Sequence, residues 1–306
     1  MSHDHSHDHG LAEMNRKRLA WAFGITATIL IAEVVGALLT NSLALLVDAA
    51  HMLTDTLGLL MALTAANLVM RKSTDQRTWG FRRAEVLSAT LQAALLLAVG
   101  IYAAIDAVRR IFEPAEIQST GLLVFGVIGL LGNLVSMWII FAGRQDNLNM
   151  RAAFLEVLND ALGSVAVIVA AVVIWLTDWA TADSLAALFI AALIVPRALK
   201  LLGETTHILL ESTPRGLDLH DVRQHLEKLP GVLAVHDLHA SQIASNLPVL
   251  TAHVVVADEM FSSDSTGELL RLLQQCVAEH FEVSISHSTF QIEPASHRRS
   301  EYHVDC

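Results

Sequence analysis

The 306-residue chain is 53% hydrophobic and only 17% charged, a balance that sets it apart from ordinary soluble proteins and points to a membrane protein. Its net charge of -11, with fifteen histidines, argues against the basic surface that nucleic-acid binding needs. Two cysteines, Cys276 and Cys306, are too few for a disulfide framework and fit a reducing compartment for the tail.

The chain opens on MSHDHSHDHG, which has neither the basic start nor the apolar core of a signal peptide. His3, His5, His7 and His9 alternate with Asp and Ser, a pattern that fits weak metal capture by a flexible tail over residues 1–18. A spanning helix needs roughly 20 mostly apolar residues. Six stretches meet that need: Leu19–Thr40, Ser42–Met70, Ala84–Ile111, Thr120–Ala142, Ala152–Leu176 and Ser184–Leu202. They define a six-helix transmembrane domain over 19–202, and an even number puts both termini on one side. Arg16, Lys17 and Arg18, the loop residues Arg71, Lys72, Arg77, Arg82 and Arg83, and then Arg144, Arg151, Arg197 and Lys200 crowd one side, against Arg109 and Arg110 on the other. By the positive-inside rule both termini are cytoplasmic, as expected of a multi-pass protein of a bacterial cell membrane.

A linker over 203–217 leads to a small cytoplasmic domain over 218–295 and a tail over 296–306. Asp218 is placed to cap a helix with Leu219, Val222, Leu226 and Leu229 on one face, and Pro230-Gly231 stops it. Strands are expected over Val232–Ile243 and Val249–Val256, then a helix over Ser265–Phe281 and a strand over Ser284–Ile292. The order αββαβ predicts a two-layer α+β domain of the ferredoxin-like or metallochaperone-like kind. Its thin core would lean on a partner subunit or a metal. Cys276 falls beside Leu269, Leu272 and Leu273 and reads as core, and the tail His303-Val-Asp-Cys306 reads as disordered.

Ionisable side chains within spanning helices cost at least about 2.5 kcal/mol each, so every one needs a reason. The second helix carries His51 and Asp55 and the fifth carries Glu156 and Asp160, each pair at the i,i+4 spacing that shares a face. Two such pairs can close four ligands around one ion in tetrahedral geometry. Imidazole with carboxylates suits Zn2+, with cobalt, cadmium and manganese as competitors, and the lack of thiolate argues against copper(I). Three carboxylates left without a dication in low dielectric cannot all stay charged, so protons take its place, and metal movement couples to H+ movement.

Asp48, one turn from His51, and Asn133 and Asn159 are candidates for the ligands' hydrogen-bond partners or for the ion path. Glu33, Glu85, Gln92 and Asp106 read as packing contacts between helices. A membrane zinc hydrolase would need an open ligand position and a general base, and no His-Glu-x-x-His stands in the chain. A membrane-anchored metal sensor would leave four intramembrane ligands without a purpose. The chain therefore reads as a transporter and not an enzyme.

With these motifs on the page, the sequence resembles the cation diffusion facilitator family, in its zinc-transporting branch. The resemblance rests on Ser42-Leu-Ala-Leu-Leu-Val-Asp-Ala-Ala-His-Met-Leu-Thr-Asp55, Trp79-Gly-Phe-Arg-Arg-Ala-Glu-Val-Leu87, Asn149-Met-Arg-Ala-Ala-Phe-Leu-Glu-Val-Leu-Asn-Asp-Ala-Leu-Gly-Ser164 and Val235-His-Asp-Leu-His-Ala240. It implies a homodimer that exports zinc and related divalent ions by proton exchange through alternating access. It also implies that residues such as His236, His253 and Glu293, with His239 and His287 nearby, bind a regulatory metal in the cytoplasmic domain. One position departs from the branch: Glu156 stands where His is usual, which hardens the site and widens the expected selectivity toward Co2+, Cd2+ or Mn2+. The second loop also lacks the histidines that some members use for an extra site there.

Overall fold

A computed structural model describes residues 24, 25, 27–141, 148–261 and 265–297. The tract His3, His5, His7 and His9 and the tail with Cys306 lie outside the described residues. Six helices come first, the short α1 Ala27–Thr40 and the longer α2 Leu43–Val69, α3 Arg83–Phe112, α4 Ser119–Phe141, α5 Leu148–Thr177 and α6 Thr181–Leu209. At 1.5 Å per residue the longer ones reach about 40 Å, enough to cross a bilayer. Then come α7 Leu219–Glu227, β1 Val232–Ala244, β2 Leu247–Val256, a short 3-10 turn, α8 Thr266–Glu279 and β3 His287–Pro294. The chain divides into two compact units, Met1–Met61 with Leu91–Leu202, and Ala62–Thr90 with Gly203–Cys306.

Small residues let the helices of the first unit approach closely. Ala170, Ala171, Ala186, Ala187 and Ala191 are buried in its core beside Leu43, Leu45 and Val47. On α4, a methyl group added at Gly132 would fall 2.5 Å from Ile29 of α1, and one at Gly126 would fall 3.0 Å from Val167 of α5. Such contacts replace the hydrophobic drive that lipid cannot supply between helices.

A buried acid fixes where α2 begins. The Asp183 carboxylate at the start of α6 accepts from Ser42 Oγ at 2.5 Å, Leu43 N at 2.7 Å and Ala44 N at 3.4 Å. Ser42 Oγ in turn accepts from Leu45 N at 3.1 Å. The first amides of a helix have no intrahelical acceptor and form its positive end, so a carboxylate there is doubly favoured. Asn41, with φ of 57°, turns the chain sharply into this cap.

The expected end of α6 at Leu202 needs correction. The helix continues through Gly203 to Leu209, so the stretch read as linker is helical over its first seven residues. Gly203 meets nothing that would stop it, and a lone glycine weakens a helix by only about 1 kcal/mol without ending it. Arg197 therefore lies about three turns before the end of the helix. Pro196, just before it, removes one ladder hydrogen bond.

In the second unit Asp218 caps α7 by accepting from His220 N at 2.7 Å. The sheet order is β1-β2-β3, with β1 and β2 antiparallel and β2 and β3 parallel. Val222, Leu226, Leu269, Leu273, Val277 and Cys276 pack onto one face of it, and burial pushes the Cys276 thiol up. Replacing Asp183 with Ala is expected to lower the stability of the folded chain by about 3 kcal/mol, since the α2 cap loses a charged acceptor. Thermal unfolding in detergent should show a lower midpoint than for Asp183→Asn, which retains one acceptor oxygen.

Candidate metal centre

The two i,i+4 pairs read from the sequence meet. His51 Nε2 lies 3.5 Å from Asp55 Oδ2, 3.9 Å from Glu156 Oε1 and 3.7 Å from Asp160 Oδ1. One ligand atom from each of His51, Glu156 and Asp160 falls within 4.8 Å of the others, the spread that a single ion can bridge. His51 and Asp160 are buried, while Asp55 and Glu156 are partly open. His51 Nδ1 and Asp160 Oδ1 make no hydrogen bond within the protein.

Two residues outside the predicted quartet complete this centre. Gln92 Nε2 of α3 donates to Asp55 Oδ1 at 3.3 Å. The Arg197 guanidinium of α6 donates to Glu156 Oε1. Arg197 was read as a flanking charge, yet it follows Ile190 and Ile194, both buried, at helical spacing on one stripe of α6. An arginine on an otherwise buried stripe was the available signal.

Asp48, Asn159 and Arg197 line one small cavity with His51 and Gly163. Asp48 is buried, and the likewise buried Glu33 of α1 lies near it, a contact between helices of the kind expected for Glu33. Asn133 donates to Ser164 Oγ at 3.2 Å, tying α4 to α5. Two glycines make room for these acids: a methyl group at Gly163 would stand 2.9 Å from Asp48 Oδ1, and one at Gly129 would stand 2.8 Å from Glu33 Oε1.

A second cluster lies on the sheet of the cytoplasmic domain. His236 of β1 pairs directly with His253 of β2, and Glu293 of β3 pairs with Val255, two residues on and therefore on the same face. His253 Nδ1 is 2.7 Å and His236 Nε2 is 3.4 Å from Glu293, which is itself buried. Ligand atoms of the three fall within 4.8 Å of one another.

His239 and His287 do not join them. A register shift between His236 and His239, with Asp237 at φ of 48°, turns His239 away. There His239 Nε2 meets Asp237 Oδ1 at 2.8 Å, and that hydrogen bond holds the exposed Asp237 carboxyl below its usual range. His287 packs edge-on against Trp79 at the far end of β3.

Comparison with known proteins adds the decisive observation. Residues 19–210 match the family model described as the cation efflux transmembrane domain, and 214–295 match that of the cation efflux protein cytoplasmic domain. The chain belongs to the cation efflux family. Members of this family are transporters and not hydrolases, and the chain is an integral membrane protein.

Curated relatives span it almost end to end. The metal cation efflux system protein CzcD of Cupriavidus metallidurans is 42% identical over 299 residues, covering 96% of this chain and 91% of that protein. The cadmium, cobalt and zinc/H(+)-K(+) antiporter of Bacillus subtilis is 37% identical over 295 residues, at 96% and 93% coverage. The zinc transporter ZitB of Escherichia coli is 37% identical over 297 residues, at 96% and 93%.

In this cation efflux protein the glycine cradle is testable without touching a proposed ligand. Gly163→Ala is expected to destabilise the fold by about 1–3 kcal/mol through overpacking against Asp48. Gly203→Ala, where nothing lies within 4 Å, serves as the control, and thermal unfolding in one detergent compares the two.

Proposed function

We propose that this chain exports a divalent transition metal, Zn2+ foremost, from the cytoplasm in exchange for H+, by alternating access to the site of His51, Asp55, Glu156 and Asp160. One observation carries the reading: side chains from two helices converge on His51 Nε2 at 3.5–3.9 Å within the spanning helices. An imidazole with carboxylates is a donor set that zinc accepts. Three oxygen donors extend the range toward cobalt and manganese, and cadmium enters through the printed name of the antiporter relative. The printed names of the relatives, a zinc transporter and an antiporter of cadmium, cobalt and zinc, support the same cargo and the exchange.

Proton coupling follows from the ligand chemistry. Ligands must be deprotonated to hold a metal, so arrival of the ion releases protons and its departure takes them up. Asp55 and Glu156 lie 3.5 Å and 3.9 Å from His51 Nε2, and carboxylates held that close in low dielectric do not all stay charged once the ion leaves. A site that faces each side in turn then moves the two species in opposite directions.

The termini lie in the cytoplasm, where the basic loops of the chain gather. Two copies pair through the cytoplasmic domain, whose family model is a dimer domain. His236, His253 and Glu293 bind a regulatory metal there, and His3, His5, His7 and His9 gather ions for the transport site.

In liposomes with an imposed pH gradient, zinc uptake is expected to fall to the protein-free background for Asp160→Ala and for His51→Ala. Normal uptake by either variant would refute the site. His253→Ala is expected to lower the zinc bound at saturation in equilibrium dialysis while Asp160-dependent uptake persists. Unchanged zinc binding would remove the cytoplasmic site.

A further inference from the structure

Three carboxylates and one imidazole around a dication leave one negative charge in excess. In a medium of low dielectric such an imbalance is heavily disfavoured. A set with two imidazoles and two carboxylates would balance. Glu156 is the ligand that creates the excess, and Glu156 is the one to which the protein supplies a cation. Arg197 Nη1 donates to Glu156 Oε1, the same oxygen that faces His51 Nε2 at 3.9 Å. No other Lys or Arg among the described residues forms an ion pair with the quartet.

Placement and chemistry both allow Arg197 to stay while a metal binds. It extends from a stripe of α6 shared with Ile190 and Ile194 and lines the cavity that also meets His51 and Asn159. A carboxylate has lone pairs enough to accept a guanidinium donor and still ligate an ion. A guanidinium keeps its charge at any physiological pH, so the balance it provides is permanent. The other titratable groups around the pair are Asp55 of α2 and Asp160 of α5, the imidazole of His51, and Asp48 of α2, which lines the same cavity as Arg197.

We propose that Glu156 and Arg197 act together as one neutral ligand, filling the place of an imidazole and letting three carboxylates hold a divalent cation without excess charge. The proposal rests on the transport reading above. It makes Arg197 a positioning and charge-balancing residue that acts through Glu156.

The test is a double-mutant cycle on the KM for zinc uptake in proteoliposomes. Glu156→His places a neutral imidazole beside an unbalanced arginine and is expected to raise KM at least about tenfold, and adding Arg197→Gln should bring it back to within about threefold of wild type. Glu156→Gln, with and without Arg197→Gln, repeats the cycle should imidazole fit poorly. A purely structural arginine predicts that each double variant is worse than its single parent. Wild-type uptake with no recovery in either double variant overturns the proposal and leaves transport standing. Absence of zinc uptake by the wild-type chain overturns both.

Discussion

No ionisable group is stable among spanning helices without a partner, and this one constraint organises the membrane part of the chain. Several of these groups are met from another helix. His51 and Asp55 of α2 face Glu156 and Asp160 of α5, Glu156 is met by Arg197 of α6, and the buried acids Glu33 of α1 and Asp48 of α2 lie near one another. Asp183 of α6 is answered by the open amides at the start of α2. The polar pairs therefore specify which helices adjoin, where apolar side chains would tolerate several arrangements.

Helix α6 does two of these jobs from one rod. Asp183 holds the first turn of α2, and Arg197, about four turns further on, reaches the ligand supplied by α5. His51 lies about two turns into α2 from that cap, so its height is set relative to α6 and Arg197. Glycines in α4 and α5 then admit the acids themselves, since any side chain at Gly129 or Gly163 would occupy the space of the Glu33 or Asp48 carboxyl. Small residues are usually discussed for helix approach. Here they also decide where a charge fits.

The quartet was legible because helical periodicity is a local property: residues four apart share a face whatever the tertiary structure. The order αββαβ and the Asp218 cap were legible for the same reason. Arg197 was not, because its partner Glu156 stands on another helix, and no spacing along the chain shows such a contact. Glu33 was read as a contact between helices, but that its neighbour is Asp48 was not legible, because no spacing along the chain shows which residues of two helices meet. His239 was misplaced by a bulge: two residues after His236 on a regular strand would share its face, and the left-handed Asp237 breaks that alternation. His287 lies on the same strand as Glu293 but pairs with Val249, far along the register from His253.

The two metal-ligand clusters show how context selects donors. On the sheet, His236, His253 and Glu293 come from three strands, and the register makes His236 and His253 direct neighbours. That set has one carboxylate and two imidazoles, and a bound dication there would leave a net positive site, tolerable at a domain surface near water. Within the helices the composition is inverted, with three carboxylates to one imidazole, and His51 and Asp160 are buried. The Arg197 contact with Glu156 brings the membrane site to the neutrality that a second imidazole would have given, while keeping an oxygen donor in place of nitrogen. Oxygen donors favour harder ions than imidazole does. The substitution at position 156 thus separates two properties that an imidazole fixes together: the charge of the site, which Arg197 restores, and the hardness of its donors, which it does not.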